Sequence, residues 1–356
     1  MKALILSGGE GSRLRPLTHT RAKQLMPVAN KPVLFYGLEA VREAGIDRAG
    51  IIVGETRAEI EEAVGNGSRF GLDVTYIEQE APLGLAHAVL VAESFLADEP
   101  FVMYLGDNLI AGGIAGLVEE FRQHGPNAEI LLAKVPNPEQ FGVAELDERG
   151  RVRSLEEKPS RPKSDLALVG VYMFDSSVFE SVRRIEPSAR GELEITDAIQ
   201  DLVDRGLEVM SHQVHGWWKD TGKPEDILEA NRIVLGTLDV PPRAALPDGS
   251  RIEGRVALGD DVEISRSLIR GPAIIGSGVR LDEAFIGPYT SIGDGCRLSR
   301  CEIENSIVME GSRLEDLPRR VDGSLLGRDV RVTRSEGKPR AFRFVLGDGS
   351  QIRIPE

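Results

Sequence analysis

The chain has little cysteine, no excess of basic charge and no long apolar run. Its 356 residues include two cysteines, Cys296 and Cys301, in neither a zinc-site spacing nor a disulfide framework. Two buried thiols in a reduced compartment are the expectation. No stretch of about 18 apolar residues occurs, so no membrane-spanning helix is expected. Met1 leads straight into a strand-like run, with no basic segment and apolar core of a secretory signal, so a soluble cytoplasmic protein is expected. Lys and Arg number 43 against 57 Asp and Glu, for a net charge of −14. That balance argues against a nucleic acid or an anionic membrane as partner. The histidines are few (His19, His87, His124, His212 and His215), and none follows residue 215. No His/Cys cluster in the sequence offers a transition-metal site.

Two glycine signatures are also missing. Lys2-Ala3-Leu4-Ile5-Leu6-Ser7 reads as a buried strand, followed at once by Gly8-Gly9-Glu10-Gly11-Ser12-Arg13-Leu14. Leu14 stands where a dinucleotide fingerprint needs its third glycine, and no P-loop string occurs anywhere. What is present is a glycine loop studded with Arg13, Arg15 and Lys23. Glycines let backbone N–H groups approach an anion, and the cations offset its charge, so the loop is suited to phosphates.

Residues 1 to about 236 alternate strand-like and helix-like segments. Ile51-Ile52-Val53, Val74-Thr75-Tyr76-Ile77 and Phe101-Val102-Met103-Tyr104-Leu105 are short apolar runs suited to strands covered on both faces. Helices are expected from Pro32 to a stop at Gly45, after a capping box at Thr56-Arg57-Ala58-Glu59, and over Ala86 to Leu96. The order implies an α/β fold with a mostly parallel, Rossmann-like sheet and helices on both faces. Ligands of such sheets sit beyond the C-terminal strand ends, where the opening loop lies.

Near residue 237 the texture changes. A linker is expected over 237–250, and a second domain over 251–356. Apolar-Gly units place glycines at 259, 276, 293, 311 and 327, at spacings of 17, 17, 18 and 16 residues. A six-residue rhythm repeating about every 18 residues resembles the hexapeptide repeat of a left-handed parallel β-helix. Ala341 to Leu346 is expected to cap its last coil as a strand.

Several polar groups then carry the chemistry. Asp107 follows Gly106 at the end of an apolar strand, and Asp220 follows Trp217-Trp218-Lys219. Together they offer hard oxygen ligands for Mg²⁺. Glu157-Lys158-Pro159 can meet sugar hydroxyls and a phosphate, and Arg190 offers a second guanidinium. Gln79, before Pro82-Leu83-Gly84, can read the edge of a base.

In this order, the loop, Gln79-x-x-Pro82-x-Gly84-Leu85-Ala86, Gly106-Asp107-Asn108, Glu157-Lys158-Pro159, Arg190-Gly191-Glu192 and Trp218-x-Asp220-Thr221-Gly222 resemble the sugar-1-phosphate nucleotidylyltransferases. Within that family the pattern is similar to the long-form glucose-1-phosphate thymidylyltransferases. The resemblance covers residues 1–236 as a catalytic domain, and the repeat domain matches the long form. It implies that dTTP and glucose-1-phosphate are the substrates and that the products are dTDP-glucose and pyrophosphate. Gly8, Gly9, Gly11, Ser12, Gln79, Pro82, Gly84 and Asp107 would bind the nucleotide, with Arg13, Lys23 and Lys158 as catalytic groups. Asn108, Gly142, Glu157, Lys158, Tyr172 and Arg190 would surround the sugar phosphate. Asp107 and Asp220 would hold Mg²⁺. A homo-oligomer is expected, with no nucleic-acid or membrane partner. The rival readings are a UTP- or other sugar-specific relative, a bifunctional nucleotidylyl/acyltransferase and a non-catalytic regulatory subunit. The lack of histidine after residue 215 weighs against acyl transfer, which usually wants a histidine base.

Overall fold

A computed structural model describes residues 1–9, 11–240, 249–334 and 349–353. The expected cap at 341–346 and most of the expected linker lie outside these residues. Internal contacts divide the chain into two compact units, which interleave in sequence. The first comprises Met1–Glu10, Arg21–Leu25 and Val33–Asp220; the second comprises Gly11–Thr20, Met26–Pro32 and Thr221–Glu356.

The first unit is built on a nine-stranded sheet. Strand Lys2–Leu6 lies at its centre and is buried along its whole length. It pairs in parallel with Arg48–Val53 on one side and Phe101–Leu105 on the other. Asp73–Glu78 extends the parallel part. Side chains alternate across a strand, so Ala3 and Ile5 enter one core while Leu4 and Leu6 enter the other. Helices Val33–Glu43, Arg57–Val64 and Ala115–His124 cover the first face. Helices Leu85–Val91, Val178–Arg184 and Ile195–Asp204 cover the second. The expected α/β layering is therefore present.

The sheet is mixed, however. Strand Leu166–Phe174 runs antiparallel to Phe101–Leu105, Ala128–Lys134 and Gly142–Leu146. Some local expectations also change. Thr56 makes no side-chain cap on helix Arg57–Val64. The Glu59 carboxylate that would complete the box instead accepts the Ala22 N–H at 2.8 Å. Pro32 belongs to a two-residue strand paired with Pro27–Val28, and the helix begins at Val33. The segment from Ala86 to Leu96 breaks at Ala92 into two shorter helices.

The second unit contains three parallel five-stranded sheets. Successive strands step by about one coil: Arg251 pairs with Leu268, Leu268 with Phe285 and Phe285 with Glu302. This is the three-sided β-helix that the glycine spacing predicts. Inward-pointing Ile269, Ile286 and Ile303 stack in its core beside Cys296 and Cys301. Both cysteines are free, and burial pushes each thiol up to about 11. Helix Pro224–Gly236 is part of this unit. Its buried Asn231 accepts from Ala29 N at 2.8 Å and Ser291 Oγ at 2.7 Å, and donates to the Tyr289 carbonyl at 3.1 Å.

Candidate active site

The parallel strands of the first unit end side by side, and the site is built at their C-terminal ends. Ser7, just past the opening strand, donates its N–H to Ile52 O at 2.9 Å, and Gly106 donates to Leu6 O at 2.9 Å. A Cβ on Gly8 would lie 3.7 Å from Gln79 Oε1, so the loop and the base-reading candidate are neighbours. Gln79 Nε2 is placed by the Gly84 carbonyl at 3.2 Å and His87 Nδ1 at 3.0 Å. Gly84 has φ +103° and sits on the backbone of Leu193, where a Cβ would overlap the carbonyl oxygen. Only glycine fits that approach.

Lys23 returns toward the loop, and a Cβ on Gly9 would lie 2.8 Å from its Cε. Its ammonium pairs with the Asp107 carboxylate. Asp107 is 8 % exposed. Burial works to raise its pKa, but the charge of Lys23 and hydrogen bonds from Lys23 and Asn108 prevail and hold it below the usual carboxylate range.

Asp220 arrives from far along the chain. Strand Trp218–Asp220 pairs antiparallel with Asn108–Ile110, placing Asp220 opposite Asn108, the residue that follows Asp107. Asn108 locks this corner. Its Nδ2 donates to Asp107 Oδ1 at 2.9 Å, and its Oδ1 accepts from Trp218 Nε1 at 2.6 Å and Gly170 N at 3.3 Å. The resemblance gives Asn108 to the sugar phosphate. In the structure the residue is 2 % exposed and its amide bonds to Asp107, Trp218 and Gly170. Trp218 also meets Phe141 edge-on at 5.5 Å, which ties this corner to the segment around Gly142.

At the other end, antiparallel pairing sets Glu157 opposite Gly142. A Cβ on Gly142 would come within 2.7 Å of Thr196 Oγ1 and 3.0 Å of Glu157 Oε2. Glu157 accepts from Thr196 Oγ1 at 2.8 Å and Arg190 Nη2 at 3.3 Å. Lys158 holds a left-handed backbone with φ +44°, its N–H donates to Phe141 O at 3.0 Å, and its Nζ lies 3.5 Å from Glu157. Tyr172 is 4 % exposed and parallel to Phe174; burial, then the nearby charge of Glu157, raises its phenol pKa. Arg190 is gripped by Glu194, with Nη2 donating at 2.7 and 2.8 Å to its two oxygens.

Gly8, Gly9, Lys23, Gln79, Pro82, Gly84, Asp107, Asn108, Gly142, Glu157, Lys158, Tyr172, Arg190 and Asp220 all belong to the first unit. Pro82 is exposed. Gly11, Ser12 and Arg13 belong to the second. There, Gly11 has φ +65° and accepts from Thr18 Oγ1 at 2.7 Å, while Arg13 stands exposed on a single 3₁₀ turn anchored by buried Leu14.

Sequence reading missed three supports: Glu194, Thr196 and Gly170. It also gave no role to Gln24, which is 1 % exposed beside Gly9 and Gly106 with no partner for its Oε1. Of these, Gln24 had a signal, since it stands inside the Lys23-Gln24-Leu25 string. The structure is chemically suited to binding a phosphorylated substrate: a glycine cradle with one lysine, a buried carboxylate at Asp107 with Asp220 across from its neighbour Asn108, and a separate cluster of acid, lysine and arginine.

Residues 2–236 match the Nucleotidyl transferase family. Along nearly its full length the chain is 56 % identical to a glucose-1-phosphate thymidylyltransferase of Streptomyces antibioticus, covering 99 % of both chains. It is 52 % identical to the protein of the same name from Streptomyces griseus, again over 99 % of both. A solved structure from Bacillus anthracis, of a provisionally named glucose-1-phosphate thymidylyltransferase in complex with sucrose, superposes with a TM-score of 0.63 at 36 % identity. It covers 68 % of this chain and 97 % of that one. By the family match and by these full-length relatives, the chain belongs to the nucleotidyl transferase family.

Proposed function

We propose that this chain is a glucose-1-phosphate thymidylyltransferase, converting dTTP and glucose-1-phosphate to dTDP-glucose and pyrophosphate. The likeness to two relatives of that name, end to end, carries the reading. In the reaction a phosphate oxygen of glucose-1-phosphate attacks the α-phosphorus of dTTP. The bond from that phosphorus to the bridging oxygen breaks, and pyrophosphate departs with the electron pair. The attacking oxygen is already ionised near neutral pH, so no strong general base is needed. Positioning and charge neutralisation are the protein's tasks.

The residue roles follow this division. Gly8, Gly9, Gly11 and Ser12 cradle the nucleotide's phosphates, and Arg13 and Lys23 offset the charge that builds on the leaving pyrophosphate. Gln79, Pro82 and Gly84 take the base. Gly142, Glu157 and Tyr172 bound the sugar, while Lys158 and Arg190 hold its phosphate. Asp107 and Asp220 fit a hard divalent cation, Mg²⁺ by donor type. When bound, that cation neutralises charge at the α-phosphate. Asn108 stands with the sugar-phosphate group and, through its hydrogen bond, also orients Asp107.

The catalytic domain is taken as 1–236, with a linker over 237–250 and the β-helix and its C-terminal cap over 251–356. The β-helix serves assembly, as a cytoplasmic homo-oligomer. No helix among the described residues is long and apolar enough to cross a membrane. The test is pyrophosphate release over a matrix of nucleoside triphosphates and sugar-1-phosphates with Mg²⁺. The pair dTTP and glucose-1-phosphate should give the highest kcat/KM. A higher value for UTP or for another sugar phosphate would overturn the substrate assignment.

A further inference from the structure

Three residues that are dispersed in sequence meet beside the edge strand Val209–Gln213. That strand runs parallel to Ala128–Lys134, with Met210 opposite Glu129 and His212 opposite Leu131. Alternation then puts Glu129, Leu131 and His212 on one face. Helix Ala115–His124 packs on that face, sharing a core with Leu131 through Val118 and Phe121, and carries Glu120 alongside. One ligand atom from each of Glu120, Glu129 and His212 lies within 4.8 Å of the others. His212 Nδ1 is 3.5 Å from Glu120 Oε2. In a tetrahedral site with bonds of about 2.0–2.1 Å, ligand atoms stand roughly 3.4 Å apart. Modest side-chain turns would close the set.

Glu129 points to an occupant. It is 1 % exposed, yet neither carboxylate oxygen has a hydrogen-bond partner. A buried carboxylate without a partner is costly and is relieved by a proton or a cation. Burial, then the charge of Glu120, pushes its pKa up to about 7, with His124 opposing. The imidazole of His212 favours a transition-metal ion over Mg²⁺. His215, whose ring lies 5.8 Å from that of His212, is exposed and available as a fourth ligand.

We propose that Glu120, Glu129 and His212 form a binding site for one divalent transition-metal ion of the Zn²⁺ class, outside the residues of nucleotidyl transfer. A bound ion would pin helix Ala115–His124 to the edge strand.

The test uses the full chain after chelator treatment, titrated with Co²⁺ under saturating Mg²⁺ and followed by visible absorption. Wild type should bind one equivalent with a d–d band of a four- or five-coordinate nitrogen–oxygen site. His212→Ala, a half-buried position, should lose the band. Glu120→Gln should weaken binding at least about tenfold, and Asp107→Asn should keep it. Zn²⁺ should raise the melting temperature of wild type and not of His212→Ala. No Co²⁺ band, or a band that survives His212→Ala, overturns the proposal. So does Glu129→Gln raising the melting temperature while Zn²⁺ leaves wild type unchanged, since Glu129 then simply holds a proton.

Discussion

The two units bury polar groups in different ways. In the β-helix the buried polar side chains are small hydroxyls, such as Ser250, Ser267, Ser291, Ser306 and Ser312. Four of them accept from a backbone N–H one coil on: Ser250 Oγ from Ser267, Ser267 Oγ from Ala284, Ser306 Oγ from Ser324 and Ser312 Oγ from Val330. Among its described residues no charged side chain is buried, and several form coil-to-coil pairs such as Arg300 with Asp316 and Arg266 with Asp282. In the first unit Lys2, Asp107, Glu129 and Glu194 are buried charged residues. Burying charge is expensive and is kept where the charge has a task. One unit is therefore a periodic apolar stack, and the other is a scaffold arranged around charge.

Four substitutions test this difference between the units. Ile303→Ala leaves a cavity inside a coil and should cost about 2–5 kcal/mol of stability in denaturant titration, with kcat/KM unchanged. A large kinetic change would show that the stack reaches into the chemistry.

Glu129 makes the stability of the first unit depend on pH. Its folded pKa is raised from 4.5 to about 7, by burial and then by Glu120. Below pH 4.5 the carboxyl is protonated folded or unfolded, and its contribution to stability is fully present. Between 4.5 and 7 only the unfolded chain ionises, so stability falls by on the order of 3 kcal/mol across that window. With chelator present, Glu129→Gln should match wild type at pH 4.5 and exceed it at pH 8 in thermal melts. An equal difference at both values would contradict the burial argument.

Glu194→Gln should disturb the aim of Arg190 and raise KM for the sugar phosphate about tenfold, with KM for the nucleotide unchanged, in steady-state assays. The smallest effect belongs to the β-helix surface. Arg300→Ala removes an exposed ion pair and should leave the melting temperature within error.

The ease of reading each unit from its sequence follows the same division. The β-helix was legible because its core is local and periodic, so glycine spacing and inward aliphatics state the coil directly. The opening loop and Asp107 were legible because each follows an apolar strand at once. The supports were not. Gly170 reaches Asn108, Trp218 reaches Asn108 and Thr196 reaches Glu157 only after the strands have paired, and pairing order is absent from any local window. Thr56 misled for the same reason, since Glu59 is drawn to the distant Ala22 N–H. Glu129 and His212 come onto one face only through the parallel register, and Glu120 joins them only through the packing of its helix on that face.

Buried Asp107 is assigned above to nucleotidyl transfer. Its most direct test is pyrophosphate release from dTTP and glucose-1-phosphate with Mg²⁺, comparing wild type with Asp107→Asn at matched circular dichroism. In Asp107→Asn, kcat should fall roughly 10²–10³-fold. Undiminished release by Asp107→Asn would contradict it.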